Sequence, residues 1–344
     1  MATLRLTAAQ ALVRYLAAQR VAADTGNLPL FGGVWAIFGH GNVAGLGEAL
    51  FAARDRLPTF RAHNEQAMAH AAIAYAKANN RRRMMACTSS IGPGALNMVT
   101  AAALAHANRL PVLLLPGDVF ASRRPDPVLQ QIEDFGDATV SANDCFRPVS
   151  RYFDRIARPE QLLTALPRAL DVLTDPAECG PVTLAFCQDV QAEAFDYPEA
   201  FFEVRVRRIR TPEPDRREAE DAARILQGSR RPLIVAGGGV HYAGACAALA
   251  GFATRHGIPV AETQAGKGAL AFGHEFNAGS IGVTGASAAN TLATGADLIL
   301  AIGTRLQDFT TGSRALFTAE GRRILHLNVA ARDAEKHGGL PLVA

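Results

Sequence analysis

The sequence has no apolar run long enough to cross a bilayer, no C-x-x-C pair, and no histidines and cysteines at zinc-ligand spacing. These gaps argue against a membrane anchor, a redox dithiol and a structural metal. Its cysteines (Cys87, Cys145, Cys179, Cys187, Cys246) are odd in number and lie mostly in apolar stretches, as expected of buried free thiols in a reducing compartment. Lysine is scarce, so the basic residues are nearly all arginine, clustered at Arg81 to Arg83 and in "RVRRIR" from Arg205 to Arg210. No aromatics interleave with these clusters and no nucleic-acid module surrounds them, so nucleic acid is not an expected partner. The formal charge of +3 is small for 344 residues. The opening "MATLRLTAAQALVRYLAAQ" reads as an amphipathic helix with Thr7 and Gln10 at capping-box spacing, not as a signal peptide, which makes the cytoplasm the expected compartment.

What is present is core-forming sequence: 49% of residues are hydrophobic and 19% charged. In the first half, the apolar runs "VWAIFGHGN", "RMMACTSS", "LPVLLLPGD" and "GPVTLAFCQDV" alternate with helical stretches such as "NEQAMAHAAIAYAKA" and "PEQLLTALPRALDVLTD". Continuous apolar strands between amphipathic helices predict a parallel sheet covered on both faces. Residues 196–216 carry prolines and many charges, which is linker composition. A second βα series follows, through "RPLIVAGGG", "IPVAETQ", "DLILAIGTRL" and "RRILHLNV". The predicted fold class is therefore α/β, with two doubly wound parallel-sheet domains: residues 1–195, a linker, and a Rossmann-like unit at 217–344. The close at "GGLPLVA" is apolar and unlike a polar terminus, so a longer natural polypeptide is expected.

Three glycine-rich turns compete as sites. "AGGGVHYAGA" follows a strand and opens a helix, but Tyr242 stands where a dinucleotide fingerprint needs its third glycine, so a tight structural turn is the simpler reading. "AGKGAL" around Lys267 lacks the rest of a phosphate-binding loop. "SIGPGALN", from Ser90 to Asn97, is more specific, because a glycine-proline-glycine turn between strand and helix exposes backbone N–H groups at a positive helix end. Glu65 is the one acid between His63 and Val99. Alone, it is explained as a first-turn acid behind an Asn64 cap. In a parallel sheet, however, strand ends and helix starts share an edge, so Glu65, "FGHGN" (Gly39, His40, Asn42) and "GPGALN" are expected to converge there.

These motifs, in this order and over essentially the whole chain, resemble the thiamine diphosphate enzymes of the acetolactate synthase group. The resemblance implies a first domain that binds the cofactor's aminopyrimidine and a Rossmann-like middle domain. A third domain holds Mg²⁺ and the diphosphate through a G-D-G motif, which does not occur here. By position, Glu65 matches the group's catalytic glutamate, which acts on the aminopyrimidine so that the thiazolium carbon loses its proton. Gly39, Gly92, Pro93 and Asn97 match cofactor-neighbouring positions. His40 is a candidate for proton relay, and Asn42 and Asp118 are candidates for substrate contact. Asn64, Ile73-Ala74 and Asp118 depart from the acetolactate synthase pattern. With "QQIEDFGDATVSANDCFRPVSRYFDRI", they point to the branch that opens a polyol-derived cyclic 1,2-diketone with water in inositol breakdown. The group also implies a homodimer or homotetramer, in which one subunit's glutamate serves its neighbour's cofactor. Three rival readings are a carboligase joining 2-oxo acids, a non-catalytic binding module, and a nicotinamide-dependent oxidoreductase using "AGGGVHYAG".

Overall fold

A computed structural model describes residues 2–125, 128–132 and 134–344. The chain divides into two compact units, residues 1–210 and 211–344. In the first, six parallel strands run in the order Thr59–Arg61, Phe31–Ala36, Met84–Ser89, Val112–Asp118, Pro181–Cys187 and Tyr152–Ile156. Met84–Ser89, Val112–Asp118 and Pro181–Cys187 are buried at every position, which is why their sequences are mostly apolar with no polar alternation.

Alternate side chains of these strands feed opposite faces. Ala86, Leu113, Leu115, Leu184 and Phe186 join one core with helices Ala8–Ala18 and Leu162–Leu173. On the other face, Cys87 Sγ reaches the main-chain oxygen of Met68 at 3.9 Å, which seats helix Glu65–Ala78 against the sheet. Met68, Ala69, Ala72, Ile73 and Ala76 form that helix's buried face. Its alanines bring the helix axis close to the strands, and the helix starts at the edge where the strands end.

Two sequence expectations need correction. Residues 3–7 are a strand, paired antiparallel with Ala194–Pro198, and the helix begins only at Ala8. The alternation in "TLRLT" is the period-two signal that the helical reading passed over. The capping box itself is present: Gln10 N–H donates to Thr7 Oγ1 at 3.2 Å and Thr7 N–H to Gln10 Oε1 at 3.0 Å. Much of the expected 196–216 linker also belongs to the first unit. Arg205–Arg207 pairs with Gln19–Ala23, and residues 203–204 and 208–215 are the parts without helix or strand. Charge marked that segment as linker, but edge strands are charged too.

The arginine clusters have local partners. Arg81 donates to the main-chain oxygens of Arg109 (3.4 Å) and Pro176 (3.2 Å), Arg83 to that of Pro29 (2.8 Å), and Arg207 pairs with Asp171 at 2.9 Å.

The second unit is again a six-stranded parallel sheet, in the order Asn277–Ser280, Val260–Glu262, Pro232–Ala236, Leu298–Ile302, Arg323–Asn328 and Leu340–Val343. Separate apolar clusters cover its two faces. The closing "GGLPLVA" supplies its edge strand.

Candidate active site

The strands of the first sheet that end at Ala36, Ser89, Asp118 and Cys187 deliver their following loops to one edge. Those loops touch almost backbone to backbone. A Cβ on Gly39 would stand 2.7 Å from Ser90 Oγ, one on Gly41 2.4 Å from Ile91 Cγ2, and one on Gly117 2.7 Å from the Gly41 oxygen. Gly92 has φ +56°, and a Cβ there would lie 1.9 Å from the main-chain oxygen of Gln130. Only glycine meets both demands. Pro93 then occupies the first position of the short helix Pro93–Leu96, where its missing N–H costs nothing. The chain breaks at Asn97 and resumes as the helix Val99–Asn108.

Glu65 opens its helix behind Asn64, whose Oδ1 accepts the Ala67 N–H at 2.9 Å. The first helical turn reaches across to the glycine-proline loop. Asn97 Nδ2 donates to Glu65 Oε2 at 2.9 Å, a contact between residues 32 apart in sequence. The other oxygen, Oε1, lies over Gly94, where an added Cβ would come within 3.1 Å. Glu65, Gly92, Pro93 and Asn97 therefore form one cluster, and Gly39 joins it through Ser90.

The remaining candidates fall differently. His40 is half-buried, its main-chain oxygen accepts from Gln188 Nε2 at 2.8 Å, and its ring Nε2 is buried without a hydrogen-bond partner. Asn42 is 1% exposed. Its Oδ1 accepts the Gly39 N–H at 2.9 Å, and its Nδ2 donates to the Ile37 oxygen and to Thr88 Oγ1, both at 3.1 Å. With every polar atom of its side chain engaged inside the loop, Asn42 shapes the turn.

Asp118 likewise turns inward. It is 2% exposed, with Oδ2 accepting from Arg155 Nε at 2.7 Å and Oδ1 from the Val119 N–H at 2.8 Å. Arg155 also donates to Ser141 Oγ (2.7 Å), Asp144 Oδ1 (3.1 Å) and the Thr139 oxygen (3.3 Å). Burial pushes the Asp144 carboxyl up, but the Ser141 N–H and the Arg147 and Arg155 guanidiniums outweigh it and hold it below the usual range. A carboxylate inside an apolar strand calls for a cation, so a partner for Asp118 could have been inferred. Which arginine fills that role was not legible, because Arg155 lies 37 residues away.

In the second unit the triglycine turn is packed against protein. Gly237 N–H donates to the Ile302 oxygen (2.8 Å) and Gly239 N–H to the Gly303 oxygen (2.9 Å), and a Cβ on Gly239 would stand 2.5 Å from Gly303 Cα. Amides engaged in this way are not free to cradle a phosphate. Among the described residues, no group of acidic, histidine and cysteine side chains is arranged to hold a metal, and no helix is long and apolar enough to cross a membrane.

Residues 33–138 match the family model described as thiamine pyrophosphate enzyme, N-terminal TPP binding domain, and residues 219–344 match thiamine pyrophosphate enzyme, central domain. The chain is 53% identical, over its full length, to 3D-(3,5/4)-trihydroxycyclohexane-1,2-dione hydrolase of Geobacillus thermodenitrificans, covering 54% of that protein. It is 51% and 49% identical to proteins of the same name from Bacillus cereus and Clostridium tetani, covering 53% of each. The chain thus spans about half the length of the curated relatives it matches.

Proposed function

Because this chain belongs to the thiamine pyrophosphate enzymes and carries their N-terminal and central domains, we propose that it is the aminopyrimidine-binding half of a trihydroxycyclohexanedione hydrolase. Its reaction would be the hydrolytic opening of a cyclic 1,2-diketone derived from inositol, giving 5-deoxy-glucuronate. The observation that carries the reading is the Glu65 carboxylate, held 2.9 Å from Asn97 at the strand-end edge.

The residues present fit the aminopyrimidine end of the cofactor. A carboxylate accepts from, or donates to, a ring nitrogen, and Gly94, which has no side chain, leaves Glu65 Oε1 uncovered. Bound thiamine diphosphate supplies an acidic carbon that adds to a carbonyl and an electron sink for cleaving the neighbouring C–C bond. Glu65 holds and returns the proton at N1′ of the aminopyrimidine. The Gly39, Ser90 and Gly92 loops set the position of that carboxylate, and the apolar Ile91 and Ala95 behind them are buried and keep water from the loop's inner side. His40, through the ring nitrogen that lacks a protein partner, relays a proton or orients a substrate hydroxyl.

Mg²⁺ and the diphosphate belong to residues outside this chain, and a homodimer or homotetramer in the cytoplasm brings Glu65 to a cofactor held by its neighbour. The full-length protein, supplied with thiamine diphosphate and Mg²⁺, is expected to open the cyclic diketone and not to ligate pyruvate or glyoxylate. Glu65→Gln is expected to lower kcat by about 10²- to 10⁴-fold, the usual worth of a positioned acid–base group. Ligation without ring opening, or an unchanged kcat in that variant, would refute the reading.

A further inference from the structure

We propose that Asn97 is a positioning residue that assigns separate tasks to the two oxygens of Glu65, so that only Oε1 exchanges a proton with the aminopyrimidine. The inference rests on the role given to Glu65 above. Asn97 is held by its own backbone, its N–H donating to the Pro93 oxygen at 3.3 Å where the Pro93–Leu96 helix ends. From there Nδ2 faces Glu65 Oε2 at 2.9 Å. The opposite amide orientation would set Oδ1 against an ionised oxygen, so the donor orientation is the favourable one.

The chemical consequence follows from that orientation. An oxygen that accepts an N–H has given up one lone pair and is the less basic of the two toward a proton. When Glu65 is protonated, the proton therefore favours Oε1, the oxygen over Gly94. The 3.1 Å clearance between Oε1 and a Cβ built at position 94 shows that any larger residue would press on that oxygen. Asn97 and Gly94 thus act as a pair: one fixes Oε2, the other leaves Oε1 open. Without Asn97 the carboxyl could rotate, and the proton would be divided between two addresses, one of them misdirected.

The test reads cofactor activation, not turnover. Full-length protein loaded with thiamine diphosphate and Mg²⁺ is mixed with D₂O and acid-quenched, and loss of the thiazolium C2 proton is followed by NMR, with cofactor Kd measured in parallel. Asn97→Ala is expected to slow C2 exchange about tenfold, with Kd changed less than about threefold, as a group acting through orientation should. Asn97→Gln, which keeps the amide donor on a longer stem, is expected to recover part of the rate. Asn97→Asp places a second carboxyl beside the first and is expected to move the pH at half-maximal exchange upward by about one unit. Should Asn97→Ala lower the melting temperature, the near-isosteric Asn97→Asp carries the test. Exchange in both Asn97→Ala and Asn97→Asp indistinguishable from wild type, or a loss accounted for by weaker cofactor binding, would overturn the inference while a slow Glu65→Gln left the parent reading standing. Wild-type exchange in Glu65→Gln would remove both.

Discussion

Replacing Arg155 with leucine tests whether Asp118 is a buried structural anion or a group waiting for substrate. The Asp118 side chain is 1% exposed and that of Arg155 21%. Arg155→Leu would leave the carboxylate with the Val119 N–H at 2.8 Å and remove its cation. An uncompensated buried charge costs about 3–5 kcal/mol, and the partial exposure of Arg155 places water near enough to favour the lower end, about 3 kcal/mol. For a unit of this size each kcal/mol lowers the melting temperature by about 2–4 °C, so a drop of about 6–12 °C is expected.

Thermal and urea unfolding of Arg155→Leu, Asp118→Asn and the double variant would measure it. Asp118→Asn removes the charge that Arg155 compensates, so the double variant should recover about 2 kcal/mol relative to the sum of the singles. Additivity within about 0.5 kcal/mol would refute the ion-pair account. So would an Asp118→Asn protein of wild-type stability, which is the behaviour of a substrate-facing side chain.

Gly92→Ala should destabilise the first unit by more than the 1–3 kcal/mol typical of a forced positive φ, because the new Cβ meets the Gln130 main chain at 1.9 Å. Thermal melting measures that loss, and a change below about 1 kcal/mol would show that the loop yields freely. His326 is fully buried with both ring nitrogens unpartnered, and burial, with the nearby His337 charge, pushes it down to about 4. The unfolded chain then binds a proton that the folded chain refuses, so stability present above pH 6.5 falls as pH drops toward 4, by about 3 kcal/mol. His326→Leu should flatten that slope in urea unfolding. Burial raises Asp297, but the Ser229 hydroxyl and the N–H groups of Arg230 and Arg231 outweigh it and hold it at about 2. Its contribution is complete above the ordinary value of 3.8 and is lost as pH falls toward 2, so acid titrations of Asp297→Asn should lack that loss.

The sequence by itself determined the two parallel sheets, since strands buried on both faces read as mostly apolar runs with no polar alternation, and the few polar residues of Met84–Ser89 lie at the strand end. It also determined the edge at which Glu65 and the glycine-proline loop would meet, because parallel strands end together. Tertiary structure alone decided what each polar side chain does at that edge. Asn42 and Asp118 carry the same functional groups as a substrate-binding pair, yet both face inward, one toward Thr88 and the other toward Arg155. A side chain's direction depends on neighbours brought from distant positions, and pattern along the chain records burial without naming the partner. The same limit hid the strand at Thr3–Thr7, whose mate lies at Ala194–Pro198. Local alternation proposes a strand, but only a partner's hydrogen bonds make one.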